Sequence, residues 1–150
     1  MEEEKYLGGF FSTLQLALGA FGIGVGIYAT TARLFVVGPL YMDGRLRGSI
    51  PFLDEMFSGA ASNLFAPDSL TREQNAQIID EILRHKGVQF AKRNISKLEI
   101  KRPPGIFGTG YVKIVDTSGR SLKVKVGKRP EYEALVKLLQ TFAPEALKIV

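Results

Sequence analysis

The sequence predicts a mainly β protein, with some α-helix, in which a C-terminal amphipathic helix closes a set of antiparallel strands. Two observations carry this prediction. Residues 95–127 contain three runs with strand spacing, and the uncharged N-terminal segment also alternates with a period of two. A chain of 150 residues, 45% of them hydrophobic, fits one domain over 1–150 with a core of its own.

The first segment, residues 6–32, carries no charge and is long enough to cross a bilayer as a helix. Apolar residues alternate with small or polar ones over 14–18 and again over 25–29, which is the spacing of strands. Glu2–Glu4 stand where a signal peptide would have basic residues. We therefore favour two paired strands with a glycine-rich turn between them, and a membrane-spanning helix is the alternative.

The middle of the chain is expected to be less regular. Residues 34–37 predict a short strand, and 40–68 predict a loop with one short strand near Ile50. Thr71 and Gln74 have the spacing of a capping box, so a helix should begin there and end before Gly87. The residues expected on its buried face are Ala76, Ile79, Ile82 and Leu83.

Residues 95–127 predict three strands, over 95–102, 110–116 and 121–126. Residues 117–119 form the second turn, with Gly119 in the left-handed conformation that glycine tolerates. The predicted cross-strand pairs are Ile114 with Leu122, Val112 with Val124, Lys113 with Lys123 and Tyr111 with Lys125.

The last predicted element is a helix over about 130–142, which Pro130 opens and Pro144 follows. A wide apolar stripe along it indicates the face that packs on the sheets. The residues of this stripe are Tyr132, Leu135, Leu138, Leu139 and Phe142. Residues 146–150 are expected to form a short apolar tail.

Three stretches, 26–37, 95–100 and 108–114, resemble the strands and the glycine-led hairpin of prokaryotic pleckstrin-homology-like (PH-like) domains. The resemblance implies a bent antiparallel barrel or sandwich of about seven strands, capped by the C-terminal helix. Its core strands would lie in about 6–41 and 88–127, with an inserted segment and helix at about 42–87.

PH-like domains bind phosphoinositides, peptides or other proteins, but the phosphoinositide activity is not carried over to this chain. The family's site needs basic residues around the first two strands, and Lys5 and Arg33 are the only basic residues across 1–44. We therefore expect a non-catalytic interaction module that binds another protein or a second copy of itself.

The charge of the chain is concentrated in one region. Residues 84–129 contain 13 Lys and Arg against two acidic residues, Glu99 and Asp116. Strand alternation places lysines on one face of the predicted three-stranded sheet, which predicts an anion-binding site for acidic lipid headgroups or nucleic acid as the alternative function. Solvated lysines that protect the sheet from edge pairing are the competing interpretation. This predicted face comprises Lys97, Lys101, Tyr111, Lys113, Lys123 and Lys125.

A second candidate site is the apolar loop that carries Phe21 and Ile23. Flexible glycines surround both residues, so the loop could contact a membrane surface, a partner or another copy of the chain. The competing interpretation is that it folds over the mouth of the barrel.

Catalysis is not expected from this composition. The chain has no cysteine, which excludes disulfides, thiolate metal sites and cysteine nucleophiles, and it has one histidine, His85. We predict no enzyme activity, no cofactor, no metal site and no small-molecule substrate. The expected location is the cytoplasm, with peripheral membrane contact as a variant.

Overall fold

The computed structural model describes residues 3–12, 25–37, 40–42, 45–47, 62–64, 69–84, 87–104, 110–126 and 129–150. These residues form a mainly β structure with two α-helices, as the sequence predicts. The strands are β1 (Tyr6–Ser12), β2 (Val25–Thr30), β3 (Arg33–Val37), β4 (Leu40–Met42), β5 (Arg45–Arg47), β6 (Ser62–Leu64), β7 (Gly87–Ala91), β8 (Ile95–Lys101), β9 (Gly110–Asp116), β10 (Ser121–Val126) and β11 (Leu147–Ile149). The helices are α1 (Arg72–Leu83) and α2 (Arg129–Phe142), and a short 3-10 turn (Lys92–Asn94) joins β7 to β8.

The described strands form three sheets, so the expected count of about seven strands is not confirmed. The first sheet has the order β6-β1-β2-β3-β7, and the second has the order β10-β9-β8-β11. Strands β4 and β5 pair antiparallel in a separate two-stranded sheet where the sequence predicts loop. Strand β6 also lies in that predicted loop, and it pairs with β1.

The second sheet has the register that the sequence predicts. Lys113 lies opposite Lys123 and Val112 lies opposite Val124. The other two predicted pairs are present as well. Gly119 has a φ of 90°, the left-handed conformation expected at this turn. The predicted short apolar tail contains strand β11, which the sequence does not predict and which pairs in parallel with β8, extending the sheet by one strand.

The main core lies between the two sheets and α2. Ile27 and Leu34 face it from the first sheet, Ile100 and Ile114 from the second, and Leu139 from α2, and all five are fully buried. The five residues of the predicted α2 stripe are all buried, which confirms that stripe. Burial of apolar area on this scale is the main stabilising contribution in a fold of this size.

The other face of the first sheet has a smaller core of its own, which α1 covers. Tyr28 and Phe35 are cross-strand neighbours on this face, and they pack with Ile78 and Ile82 of the helix. Gly9 makes room for the tyrosine, because a Cβ there would lie 2.5 Å from the Tyr28 ring. At β2 and β3 the first sheet is therefore buried on both faces.

The buried face of α1 differs from the predicted one. The predicted capping box is present, since the Gln74 backbone N–H donates to Thr71 Oγ1 at 3.1 Å and the Thr71 N–H donates to Gln74 Oε1 at 2.9 Å. Ile82 is buried as expected, but Ala76 is exposed and Leu83 is 42% exposed. The buried positions of the helix are Asn75, Ile78 and Ile82.

The difference arises at Asn75, a polar residue that is buried because its side chain has a structural role in the interior. A prediction from apolar residues alone does not place it on the buried face. Its Oδ1 accepts a hydrogen bond from the Tyr6 backbone N–H at 2.8 Å, and its Nδ2 donates to the Thr71 carbonyl at 3.1 Å. Tyr6 begins β1, so the amide side chain fixes the start of the sheet to the first turn of α1. A buried N–H that lost this acceptor would be left unsatisfied.

A polar cluster fixes the N-terminal segment to the turn between β2 and β3. Arg33 donates two hydrogen bonds to the Glu4 carboxylate, at 2.9 and 2.7 Å, and its guanidinium lies 5.0 Å from the Phe35 ring centroid. The Thr30 hydroxyl donates to Glu4 and accepts from the Arg33 backbone N–H at 2.9 Å. Bidentate arginine–carboxylate pairs of this kind are among the strongest polar contacts.

A second cluster joins the two sheets at the β9–β10 turn. Asp116 accepts hydrogen bonds from the backbone N–H groups of Ser118 and Arg120, each at 3.0 Å. The Arg120 guanidinium lies 4.4 Å from the Phe90 ring centroid and donates to the Gln89 carbonyl at 2.9 Å. Because β7 belongs to the first sheet, this arginine fixes the turn of one sheet against a strand of the other.

Two predicted features lie outside the described residues: the alternation over 14–18 and the short strand near Ile50. The described parts of the uncharged segment, β1 and β2, are antiparallel strands. Among the described residues, no helix is long and apolar enough to cross a membrane.

Replacing Asn75 by alanine should lower the free energy of unfolding by about 1–3 kcal/mol, because the Tyr6 N–H would lose its acceptor in a buried position. Urea unfolding followed by circular dichroism measures the change. The matched control is Gln77→Ala on the exposed side of the same helix, which should change the stability by less than about 0.5 kcal/mol. Equal effects of the two substitutions would contradict the role given to Asn75.

Replacing Glu4 by glutamine should make stability less dependent on pH. Burial opposes ionisation of Glu4, but hydrogen bonds from Arg33 and Thr30 outweigh it and lower the pKa of this carboxyl below its ordinary value of 4.5. The stabilisation is therefore complete above pH 4.5 and is lost as the pH falls through the lower pKa of the folded protein. Unfolding of both proteins between neutral and acidic pH should show a stability difference that shrinks in acid. A constant difference would contradict this role.

Candidate functional site

The candidate site is the outer face of the second sheet, which we call the lysine face. All six residues predicted for it lie on strands β8, β9 and β10 of this sheet. Lys101, Lys123 and Lys125 are exposed, and the other three are half-buried. Alternation along each strand sends the neighbouring residues, such as Leu98, Val112 and Val124, into the main core. The structure thus brings together the residues Lys97, Lys101, Tyr111, Lys113, Lys123 and Lys125.

Strand register arranges this face in rows across the sheet. In one row Lys101 lies opposite Tyr111, which lies opposite Lys125. In the next row Lys113 lies opposite Lys123 on one side and opposite Glu99 on the other. Directly opposed lysines repel each other, so this pairing is unfavourable, and Glu99 offsets it from one side only.

Two charged residues of this face are missing from the prediction. Glu99 lies in β8 between Lys97 and Lys101, and the same alternation that selected those lysines would have selected it. Lys148 lies opposite Glu99 through the parallel pairing of β11. Its position depends on contacts between distant parts of the chain, and the short alternation of Leu147–Ile149 was the single local signal.

Glu99 is the centre of the hydrogen bonds on the lysine face. Its carboxylate accepts from the Tyr111 hydroxyl at 2.7 Å and from Lys97 Nζ at 3.4 Å. The hydrogen bond from Tyr111, followed by the charges of Lys97 and Lys113, lowers the pKa of Glu99 despite some loss of solvation. The same hydrogen bond raises the pKa of Tyr111. The carboxylate is therefore ionised at neutral pH, and the phenol keeps its proton.

Tyr111 is engaged on its ring as well as on its hydroxyl. The Lys123 ammonium lies 4.1 Å from the ring centroid, which is within the range of a cation–π contact. A nucleic-acid base that stacked on this ring would have to displace the lysine. The one aromatic side chain of the predicted face is thus occupied from within the protein.

The remaining lysines of the face have few partners. Within the described part of the chain, the one ion pair on this face joins Lys97 to Glu99. Lys101, Lys125 and Lys148 are exposed and make no ion pair with a described residue. With six lysines and one glutamate, the face carries a formal charge of about +5.

The second predicted site, the apolar loop with Phe21 and Ile23, lies outside the described residues. No group of three or more metal-ligating side chains is brought together among the residues that the structure describes. No protein-family model, curated protein or solved structure matches this chain.

Replacing Glu99 by glutamine should lower the pKa of Tyr111 toward its ordinary value of 10.0, because the carboxylate that holds the phenolic proton is removed. Titration of the tyrosine Cζ resonances by NMR measures this pKa, and Tyr111→Phe assigns the resonance. The control Glu133→Gln on α2 should leave the Tyr111 titration unchanged. An unchanged pKa in Glu99→Gln would contradict the hydrogen bond described for this face.

Proposed function

We propose that this chain is a non-catalytic interaction module, and that its lysine face binds an acidic surface of another protein. The observation that carries the proposal is the formal charge of about +5 on one face of the second sheet. Most of the ammonium groups on this face form no ion pair with a described residue. An acidic partner would relieve the repulsion between the opposed lysines Lys113 and Lys123.

The order of elements supports a PH-like plan as part of this proposal. Strands β1, β2, β3 and β7 are consecutive neighbours in the first sheet, and β8, β9 and β10 are consecutive in the second. Helix α2 follows and closes the main core. On this plan, β4, β5, β6 and α1 belong to an insertion between the third and fourth core strands. Folds of this kind serve interaction functions, but the function has to be argued from the site itself.

A binding role also agrees with the use of the buried polar groups. Asn75 accepts from the Tyr6 N–H, Thr30 from the Arg33 N–H and Asp116 from turn N–H groups. Each of these buried side chains is engaged in holding the fold together. The solvent-facing charged groups of the second sheet have no such structural role and are available to bind a partner.

Three features favour a protein over the other acidic partners. Tyr111 is covered by Lys123 and bound to Glu99, which disfavours base stacking by a nucleic acid. Adjacent strands twist by about 20°, so a face of four strands turns by roughly 60° and does not lie flat on a bilayer. An irregular acidic protein surface can follow such a face, and a glutamate at its centre favours a partner of mixed charge.

A second copy of the chain is a less suitable acidic partner. Two of the described acidic groups around α1 already have arginine partners, because Glu3 pairs with Arg72 at 2.7 Å and Asp80 with Arg84 at 2.8 Å, which leaves fewer carboxylates for a second copy to offer. Self-association through the apolar loop of Phe21 and Ile23 remains a separate prediction. A dimer whose stability does not depend on salt would support that loop instead of the lysine face.

The proposal is tested with poly-L-glutamate as a model acidic polypeptide, beside mixed-sequence duplex DNA and phosphatidylcholine vesicles that contain phosphatidylserine. We expect saturable binding of poly-L-glutamate that weakens steeply with salt. The variant with Lys113, Lys123 and Lys125 replaced by glutamine should bind about tenfold more weakly, since each of the three charges contributes about 0.5 kcal/mol.

The matched control removes three positive charges elsewhere, by replacing Arg72, Arg84 and Lys137 with glutamine. It should bind poly-L-glutamate like the unmodified protein, although its net charge equals that of the lysine-face variant. Equal losses of affinity for poly-L-glutamate in both variants would show that binding depends only on net charge and would overturn the proposal. Stronger binding of vesicles or DNA than of poly-L-glutamate, sensitive to the same three lysines, would replace the acidic protein by that partner.

A further inference from the structure

A cavity of about 540 Å³ opens among three turns of the fold, and no residue of the lysine face lines it. Three segments meet there: the β2–β3 turn, the junction between β7 and β8, and the turn that follows α2. Its volume lies within the range of small-molecule sites, roughly 300–1,000 Å³. The residues that line it are Ala32, Ala91, Lys92, Arg93, Ile95 and Glu145.

Backbone hydrogen bonds hold the walls of this cavity in place. The Lys92 N–H donates to the Ala32 carbonyl at 2.8 Å, which joins the 3-10 turn to the β2–β3 turn. The turn that carries Glu145 is fixed by the Leu98 N–H, which donates to the Ala146 carbonyl at 2.9 Å. Walls that are ordered before a ligand arrives reduce the entropy lost on binding.

The lining combines two positive charges, one negative charge and a small apolar surface. Arg93 and Glu145 are exposed, Lys92 is half-buried, and none of the three forms an ion pair with a described residue. The Lys92 ammonium lies 5.9 Å from the Phe142 ring centroid, so an aromatic ring lies beside it. Opposite charges that line one cavity without meeting leave room for a group that contacts both.

We propose that this cavity binds a small zwitterion of the amino-acid class, either a free amino acid or a short peptide. Its carboxylate would contact Lys92 and Arg93, and its ammonium group would contact Glu145. Ala32 and Ala91 leave space for a small apolar side chain between the two charged ends. Charge pairing at both ends then selects ligands that carry both signs over ligands that carry one.

This site is independent of the lysine face, because none of the lysines of that face lines the cavity. The experiment is a titration of the isotope-labelled protein with L-alanyl-L-alanine, followed by the backbone amide resonances of Ala32, Ala91, Arg93 and Ile95. We expect saturable shifts of these resonances. N-acetyl-alanyl-alanine and alanyl-alanine amide each lack one charge and should bind at least about tenfold more weakly, a difference of about 1.4 kcal/mol.

Arg93→Gln and Glu145→Gln should each weaken binding of the dipeptide by about tenfold, and both positions are exposed, so both variants should fold. Lys137→Gln is the control and should bind normally. A titration with free L-alanine decides the source: binding as tight as the dipeptide's assigns free amino acids, and weaker binding assigns peptides. No shifts, or equal shifts with the blocked dipeptides, would overturn the proposal and leave the lysine-face experiment unaffected.

Discussion

The rest of this structure depends on a first sheet that must be covered on both of its faces. In β2 and β3, Ile27 and Leu34 point to the main core, while Tyr28 and Phe35 point to the opposite side. A face of this kind cannot remain in water without a large loss of stabilisation. The second sheet with α2 covers one side, and α1 covers the other. Helix α1 is therefore part of the stable fold, and the hydrogen bond between Asn75 and the Tyr6 N–H positions it.

The elements that could be predicted from the sequence are those whose determinants are close together in the chain. The β9–β10 hairpin is the clearest example, because a three-residue turn with Gly119 sets the register of every pair that follows it. The apolar stripe of α2 and the capping box at Thr71 are also local signals. For the same reason, the six residues predicted to share one face of the second sheet lie together on it.

The elements that could not be predicted depend on partners distant in sequence. The parallel pairing of β11 with β8 joins residues about fifty positions apart, and it adds Lys148 to the lysine face. The prediction of the buried face of α1 is wrong for a related reason. A buried asparagine contradicts a simple apolar pattern, and its acceptor role becomes visible only when Tyr6 is brought to it. The cavity beside Arg93 and Glu145 likewise requires three separate turns to meet.

The contact between Lys123 and Tyr111 has a consequence for observing the protein. An ammonium group 4.1 Å from the ring centroid, together with the hydrogen bond that the hydroxyl donates to Glu99, sets the electronic environment of that phenol. Any bound molecule that draws the lysine toward its own carboxylates uncovers the ring. The chain contains no tryptophan, so tyrosine dominates its near-ultraviolet spectrum. Tyr111 is one of five tyrosines in the chain, so a change at the centre of the charged surface alters part of this spectrum, and no label needs to be attached there.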